Sequence, residues 1–487
     1  MFEVLVSCRP IESFNDLVGV ERVAGVKELA EVIRGALGAR AIWNINSTAM
    51  GGGVAEMLRS LLRYARGLGI QARWLVLQGS PEFFRITKRL HNALHDSAGD
   101  GSPLGDAERA VYDEVMRENT NALDALVKPG DIVICHDPQT AGLVPPLVAK
   151  RVPVVWRCHI GHDRHGTHVD EGWAFLRRYV EDVPLAVFSR ASYAPDWLPR
   201  KRSIVLPPNI DPFSAKNQAM DDSVVRAILG VVGIIDDPGS GTPIFQRDDG
   251  SVGRVDRKVE VVRLGRPPSF DTPLVVQVSR WDRMKDPVGV LEGFAKVVTA
   301  HEARGARLIL AGPNVRGVAD DPEGPQVLDE VEHAWRGLPD AQRGAIDLAQ
   351  LPMVDNEENA AIVNALQRHA RVIVQKSLRE GFGLTVTEAM WKRRPVVASA
   401  VGGIVDQIRD GIDGLLVRSP CDASELANVL VTVLSNAELA KNLGNAGYER
   451  VREHYLSVTS LEHWADLLRV LMTGRGREAD VATAAAH

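Results

Sequence analysis

From about residue 40, short apolar runs rich in β-branched residues alternate with longer stretches whose apolar positions recur every three or four residues. "ARAIWNIN" precedes "VAEMLRSLLRYARGLG", "ARWLVLQG" precedes a helical segment, "DIVICHDP" precedes "TAGLVPPLVAKR", and "VPVVWRCHIG" precedes "GWAFLRRYVED". Strand and helix in repeated alternation predict a parallel sheet covered by helices on both faces. The alternation breaks at "IVLPPNIDPFSAKN", whose prolines and asparagines read as a linker near residues 207–217. It resumes with "PLVVQVSRWD", "ARLILAGPN", "ARVIVQKSL", "RPVVASAVGG" and "GLLVRSP".

The expected fold class is therefore α/β, with two doubly wound, Rossmann-like domains. The expected boundaries are 1–215 for the first domain, 216–455 for the second, and 456–487 for a crossover helix and flexible tail. Residues 222–270 do not fit the alternation and read as an insertion, with "PIFQRDDGSVGRVDRKVEVVRL" a hairpin around Asp-Asp-Gly. The stretch "SVTSLEHWADLLRVLM" is amphipathic and is expected to return to the first domain; "TGRGREADVATAAAH" reads as a loose end.

At 487 residues the chain is long enough for two or three cores. Its 57 basic and 63 acidic residues leave a formal charge of -6, which offers no general attraction to nucleic acid. Four scattered cysteines, Cys8, Cys135, Cys158 and Cys421, lack metal-ligand spacing and suit a reducing compartment. No basic leader followed by an apolar stretch opens the chain, and no apolar run approaches the roughly 20 residues that span a bilayer. These features predict a cytoplasmic protein that contacts neither membrane nor nucleic acid.

In open parallel sheets ligands sit beyond the carboxyl ends of the strands, where loops splay apart and helix N-termini point at the ligand. After "ARVIVQ" comes "KSLREGFGLTVTEAM", with Glu380 and Glu388 flanking Gly381 and Gly383 and a helix expected from Leu384. The glycines allow close backbone approach and the helix start can cradle a phosphate. Glu380 can accept from sugar hydroxyls; Glu388, about a turn into the helix, can take both hydroxyls of a ribose. A structural glycine turn with an acid that merely complements the helix dipole accounts for the same residues. After "PLVVQVS", Arg280 and Lys285 can neutralise a diphosphate leaving group, or be solvated surface cations. After "ARAIWNIN", Gly51, Gly52 and Gly53 lead into a helix without forming a G-x-G-x-x-G fingerprint, which weakens a dinucleotide dehydrogenase reading. A tight turn explains them as well. After "VPVVWRC" stands His159, preceded by Arg157, and after "DIVIC" stand His136, Asp137 and Gln139; these can bind sugar hydroxyls and hold an acceptor. His162, His165 and His168 match no standard ligand spacing, so no metal site is expected.

The run from Glu380 to Glu388 matches the E-x7-E motif of retaining glycosyltransferase family four. "WNINSTAMGGGVAEML", "ARWLVLQGSPEFFRITKRLHNALHD", "HDPQTAGLVP", "WRCHIG", "PPNIDPFSAKN" and "QVSRWDRMKD" together resemble the glucosyl-transferring trehalose synthases of that family, over about residues 40–470. The resemblance implies the GT-B architecture, two Rossmann-like domains facing across a cleft. It implies reversible formation of trehalose from a nucleoside diphosphate glucose, ADP- or UDP-glucose, and free glucose, with retention at the anomeric carbon. It assigns Glu380 and His159 to the donor glucose, Arg280 and Lys285 to the diphosphate, and Glu388 to the ribose. Gly381, Phe382, Gly383, Leu384 and Thr385 line the donor site, with Gly52 and Gly53 closing on it; Asp137, Gln139 and Arg157 are the acceptor-side candidates. No tightly bound cofactor is implied, Mg²⁺ acts at most as a stimulant without a dedicated site, and a homodimer is the expected assembly. Two departures stand out: residues 222–270 are longer than in this branch, which points to a role in oligomerisation or in covering the cleft, and Asn209 replaces a serine of the family motif in what reads as an inconsequential linker position. A trehalose phosphorylase, a glucosyltransferase with another acceptor, and a non-catalytic sugar or nucleotide sensor remain alternatives.

Overall fold

The computed structural model describes residues 1–49, 52–164, 166–300, 305–315 and 323–473; Gly51, His165 and the tail beyond Thr473 lie outside the described residues. The chain divides into two compact units, Met1–Asn209 with the segment from Tyr455, and Ile210–His454.

The first unit is built on seven strands: β1 (Phe2–Val4), β2 (Ile42–Asn46), β3 (Ala72–Val76), β4 (Ile132–His136), β5 (Val154–Cys158), β6 (Leu185–Phe188) and β7 (Ser203–Val205), in the order β1-β3-β2-β4-β5-β6-β7. All pairings are parallel except the edge pair β1–β3. Strands β2, β4, β5 and β6 are buried along their whole length, which is why they read as unbroken apolar runs. Strand order reverses between β2 and β4. The helix Val20–Leu37, for which the sequence reading gave no element, buries Val23, Val26, Ala30, Ile33 and Leu37, a helical period that is plain in the sequence. It packs against the helix Ser457–Thr473, which also covers the helix Gly53–Gly67. Arg22 binds both carboxylate oxygens of Glu462 at 2.8 and 2.6 Å, and Ser60 bonds Ser457 at 2.9 Å. Asn209 is not an inconsequential linker residue. It is 4% exposed and accepts from Ser457 Oγ at 3.0 Å, which ties the end of the first segment to the returning helix.

In the second unit the hairpin β8 (Ile244–Gln246) and β9 (Val252–Arg254) turns at Asp248–Gly250. The stretch "VEVVRL", expected in that hairpin, departs from it: β10 (Glu260–Val262) pairs antiparallel with β13 (Ile346–Leu351), because its valines find an apolar sheet edge there. The main sheet comprises β10, β11 (Leu274–Val278), β12 (Arg307–Pro313), β13, β14 (Val372–Gln375), β15 (Val396–Ser399) and β16 (Leu415–Val417), in the order β10-β13-β12-β11-β14-β15-β16. From β11 on this is a parallel Rossmann-like sheet whose order reverses between β11 and β14. The segment before β10 also contains a buried amphipathic helix, Asp222–Val232, packed on the helix Asn356–His369. The hairpin is strapped to the start of that second helix: Arg247 pairs with Asp355 and Glu357, and the N–H groups of Asp256 and Arg257 donate to Glu358 at 2.8 and 2.9 Å.

Candidate functional site

The reversal between β11 and β14 separates the two loops that carry the strongest sequence candidates, and here side chains of opposite charge close on one another. Lys285 Nζ, on the turn after β11, lies 2.5 Å from Glu380 Oε2, on the loop after β14. Ser377 Oγ donates to the same oxygen at 3.0 Å. The next residue along, Asp286, pairs in turn with Lys376, which is 1% exposed. Leu378 N donates to Met284 O at 2.7 Å, and Gln277 Nε2 to Lys285 O at 2.8 Å. Two ion pairs of reversed polarity, with backbone bonds between them, thus hold the loops at a fixed separation. Such pairs, largely out of water, are costly to break one partner at a time.

Gly383 takes φ 94° and ψ 60°, a left-handed conformation, and caps the helix Leu384–Trp391. Its position lets Leu384 and Thr385 present free helix N–H groups beside Glu380. Phe382 is buried, and its carbonyl accepts from Gln407, which also bonds Thr387 at 3.0 Å. Gly381 O accepts from Gly403 N at 3.3 Å. Glu388, 3% exposed, has Oε1 3.6 Å from Lys216 Nζ, while its carbonyl accepts from Lys392 at 3.1 Å. Burial holds the Lys392 ammonium well below the usual lysine range, with the Glu388 carboxylate opposing that shift. Arg280, half-exposed on the same turn, has Nη2 3.4 Å from Asp282 Oδ2.

In the first unit the sheet register lays a diagonal of polar side chains toward the carboxyl edge. Asn44 of β2 faces Ile134 of β4, His136 follows two residues on, and Arg157 of β5 faces His136, with His159 two residues beyond. His136 Nε2 lies 3.2 Å from Asn44 Oδ1, and His136 Nδ1 lies 3.2 Å from His159 Nε2. Asp137, at φ 63°, accepts from His159 N at 2.7 Å. Burial, then the Arg157 charge, holds both histidines well below the usual imidazole range. Burial pushes the Asp137 carboxyl up to about 7, opposed by the His159 N–H and Arg157. Arg157 itself is 1% exposed, its guanidinium lies over Trp464, and none of its three side-chain nitrogens has a hydrogen-bond partner among the described residues. Gln139 sits half-buried in the short helix Pro138–Leu143. Gly52, φ 78°, begins the helix Gly53–Gly67, and both glycines are exposed.

His162 bonds Arg164 O and His168 bonds Glu171; among the described residues no cluster of His, Cys, Asp or Glu could hold a metal ion. No helix among the described residues is long and apolar enough to cross a membrane. Sequence reasoning missed Lys376, Asp286, Ser377, Lys216 and Asn44. The first three lie within two loops already singled out; Asn44, a polar residue inside a strand, carried a signal of its own.

A known protein family matches each unit. Residues 44–195 match the family described as trehalose synthase, N-terminal domain, and residues 266–450 the family described as glycosyl transferases group 1. Trehalose synthase of Pyrococcus horikoshii is 35% identical over 465 residues, 95% of this chain and 97% of that protein. Trehalose phosphorylase of Pleurotus pulmonarius is 26% identical, covering 96% of this chain and 61% of the relative. Among solved structures, the UDP-forming α,α-trehalose-phosphate synthase of Burkholderia xenovorans, in complex with glucose-6-phosphate, aligns with a TM-score of 0.65 at 16% identity, over 89% of this chain and all of that one. Anabaena HepE, in complex with UDP and glucose, aligns at 0.57 and 14%, over 88% and 99%. The structural likeness makes the fold GT-B.

Proposed function

Since the chain belongs to the trehalose synthase family, we propose that it forms trehalose reversibly from a nucleoside diphosphate glucose and free glucose, with retention at the donor's anomeric carbon. The observation that carries this reading is the Lys285–Glu380 pair beside the helix start at Leu384, at the reversal of the second sheet. Lys285 and Arg280 neutralise the diphosphate as its charge grows, and the N–H groups of Leu384 and Thr385 add donors to its oxygens. Glu380 orients the donor glucose and fixes the Lys285 ammonium; Glu388 takes the ribose diol. His159, Asp137 and Gln139 serve the sugars from the first unit, and Gly52 and Gly53 leave its backbone bare for close approach.

No side chain is required as a committed base. The bond from the anomeric carbon to the phosphate oxygen breaks while the bond to the acceptor oxygen forms on the same face, and the acceptor's proton passes to the departing phosphate oxygen. Positioning and charge stabilisation then supply the rate. A UDP and glucose complex of a structural neighbour and a sugar-phosphate complex of another support a nucleotide-sugar donor. The likeness to a trehalose phosphorylase supports a second reading, in which phosphate and glucose 1-phosphate replace the nucleotide.

Incubating the protein with trehalose and either ADP, UDP, GDP or inorganic phosphate, with products identified by mass spectrometry, separates the two. Nucleoside diphosphate glucose with free glucose is the expected result and names the base; glucose 1-phosphate formed only with phosphate moves the assignment to the phosphorylase. No product in any tube overturns trehalose as the substrate.

A further inference from the structure

We infer that Asn44 is a positioning residue which, acting through His136, fixes His159 in the tautomer that offers an unprotonated Nδ1 to a sugar hydroxyl. The inference rests on the sugar-binding reading of His159 given above, and it deepens that reading by assigning the direction of the hydrogen bond.

A buried asparagine inside a parallel strand is a poor choice for the strand itself, since its amide must find partners that a valine would not need. Asn44 is 3% exposed and turns its Oδ1 to His136 Nε2 at 3.2 Å. An amide oxygen only accepts, so His136 carries its proton on Nε2. A neutral imidazole has one N–H, which leaves His136 Nδ1 with a lone pair. The neighbouring His159 Nε2, 3.2 Å away, must therefore donate to it. The two rings lie 12° from parallel with centroids 5.5 Å apart, as expected when rings meet nitrogen to nitrogen in one plane; they do not overlap face to face. His159 keeps a bare Nδ1, and no hydrogen bond to that atom is present among the described residues.

Both rings must be neutral for this chain of donors to hold. Burial, with the Arg157 charge, favours that state for each of them. The His159 backbone is pinned independently, its N–H donating to Asp137 Oδ1 at 2.7 Å. Ring orientation and proton position are thus set before any sugar arrives, and the binding step need not select a tautomer.

The test is the ring nitrogen spectrum of the protein labelled with ¹⁵N-histidine, recorded without substrate, the His159 signals being assigned by their loss in His159→Gln. The expected result is one neutral species, protonated at Nε2 and bare at Nδ1; a proton on Nδ1, as an amide of opposite orientation would impose, overturns the inference. In Asn44→Leu the His159 signals should move to the average of two tautomers, and kcat/KM should fall about tenfold, the loss of one aligned hydrogen bond. Unmoved signals in a folded Asn44→Leu protein would remove Asn44 from the role, and if that variant does not fold the wild-type spectrum still decides. Because the spectrum needs no turnover, failure to detect glucosyl transfer would sink the functional reading and leave the tautomer assignment standing.

Discussion

At the scale of single residues, the Lys285–Glu380 pair should behave as one unit. Glu380→Gln and Lys285→Met are each expected to lower kcat by about 10²–10³, the usual cost of one stabilising group at a developing charge, and the double variant should lose far less than the product of the two. Multiplicative losses would separate the residues. Asp137 gives a pH prediction. Burial pushes its carboxyl up to about 7 in the folded protein. The unfolded chain releases that proton near the ordinary value of about 4. The folded state therefore binds the extra proton between the two, and its stability from this group is present below pH 4 and drains away as the pH rises to 7. Asp137→Asn should gain thermal stability relative to wild type across that window, by about 5 °C or more, and the difference should level off above pH 7; a difference that does not grow with pH would place the carboxylate in a more polar site. Glu380, Glu388, Lys285 and His159 were picked out because each lies on a segment that follows a strand; that Lys285 meets Glu380 was not legible, since it depends on the order of β11 and β14 in the sheet. Arg157 was read as an acceptor-side candidate, and its place over Trp464 was not legible because a sequence does not say which face of β5 meets that ring.

At the scale of elements, most of the parallel strands that announced themselves as apolar runs are buried, the edge strand β16 being the partly exposed exception, and β1, β7 and β10, also at sheet edges, gave weak signals. The helix Val20–Leu37 was readable from its spacing and was lost only because the strand-helix alternation begins later. The departure of β10 from the hairpin was not readable, since its choice of partner is a matter of tertiary contact. Gly383 belongs here too. A Cβ on it would lie 3.3 Å from both Glu380 Cγ and Ile404 Cγ1, at a backbone conformation that L-residues avoid. Gly383→Ala is expected to cost about 1–2 kcal/mol, seen as a small fall in Tm. Its activity should fall much further than its stability, because the displaced loop carries Glu380. Loss of Tm without loss of kcat would make the glycine purely structural.

At the scale of the whole molecule, the two matched families divide the chain as the two sheets do, one on each unit. The second unit is continuous in sequence, but the first is not. It takes the helix Ser457–Thr473 to cover Val26, Ala30, Ile33, Leu61 and Leu62, which line a small apolar cavity with Leu461 and Trp464 of that helix. Truncation before Tyr455 should therefore damage the unit far from the cut. Hydrogen exchange is expected to show protection lost in β2 to β7 and kept in β11 to β16; the reverse pattern would mean the helix contributes little to the first sheet.

That discontinuity also orders events during synthesis. A ribosome adds about 5–20 residues each second, and domains generally fold as they emerge. Here residues made earlier wait for residues made after the other unit: the Ile210–His454 unit is synthesised in full before the first unit receives its covering helix. For that interval the apolar faces of the helices Val20–Leu37 and Gly53–Gly67 stand open in the nascent chain, and they are the surface on which a chaperone would be expected to hold it.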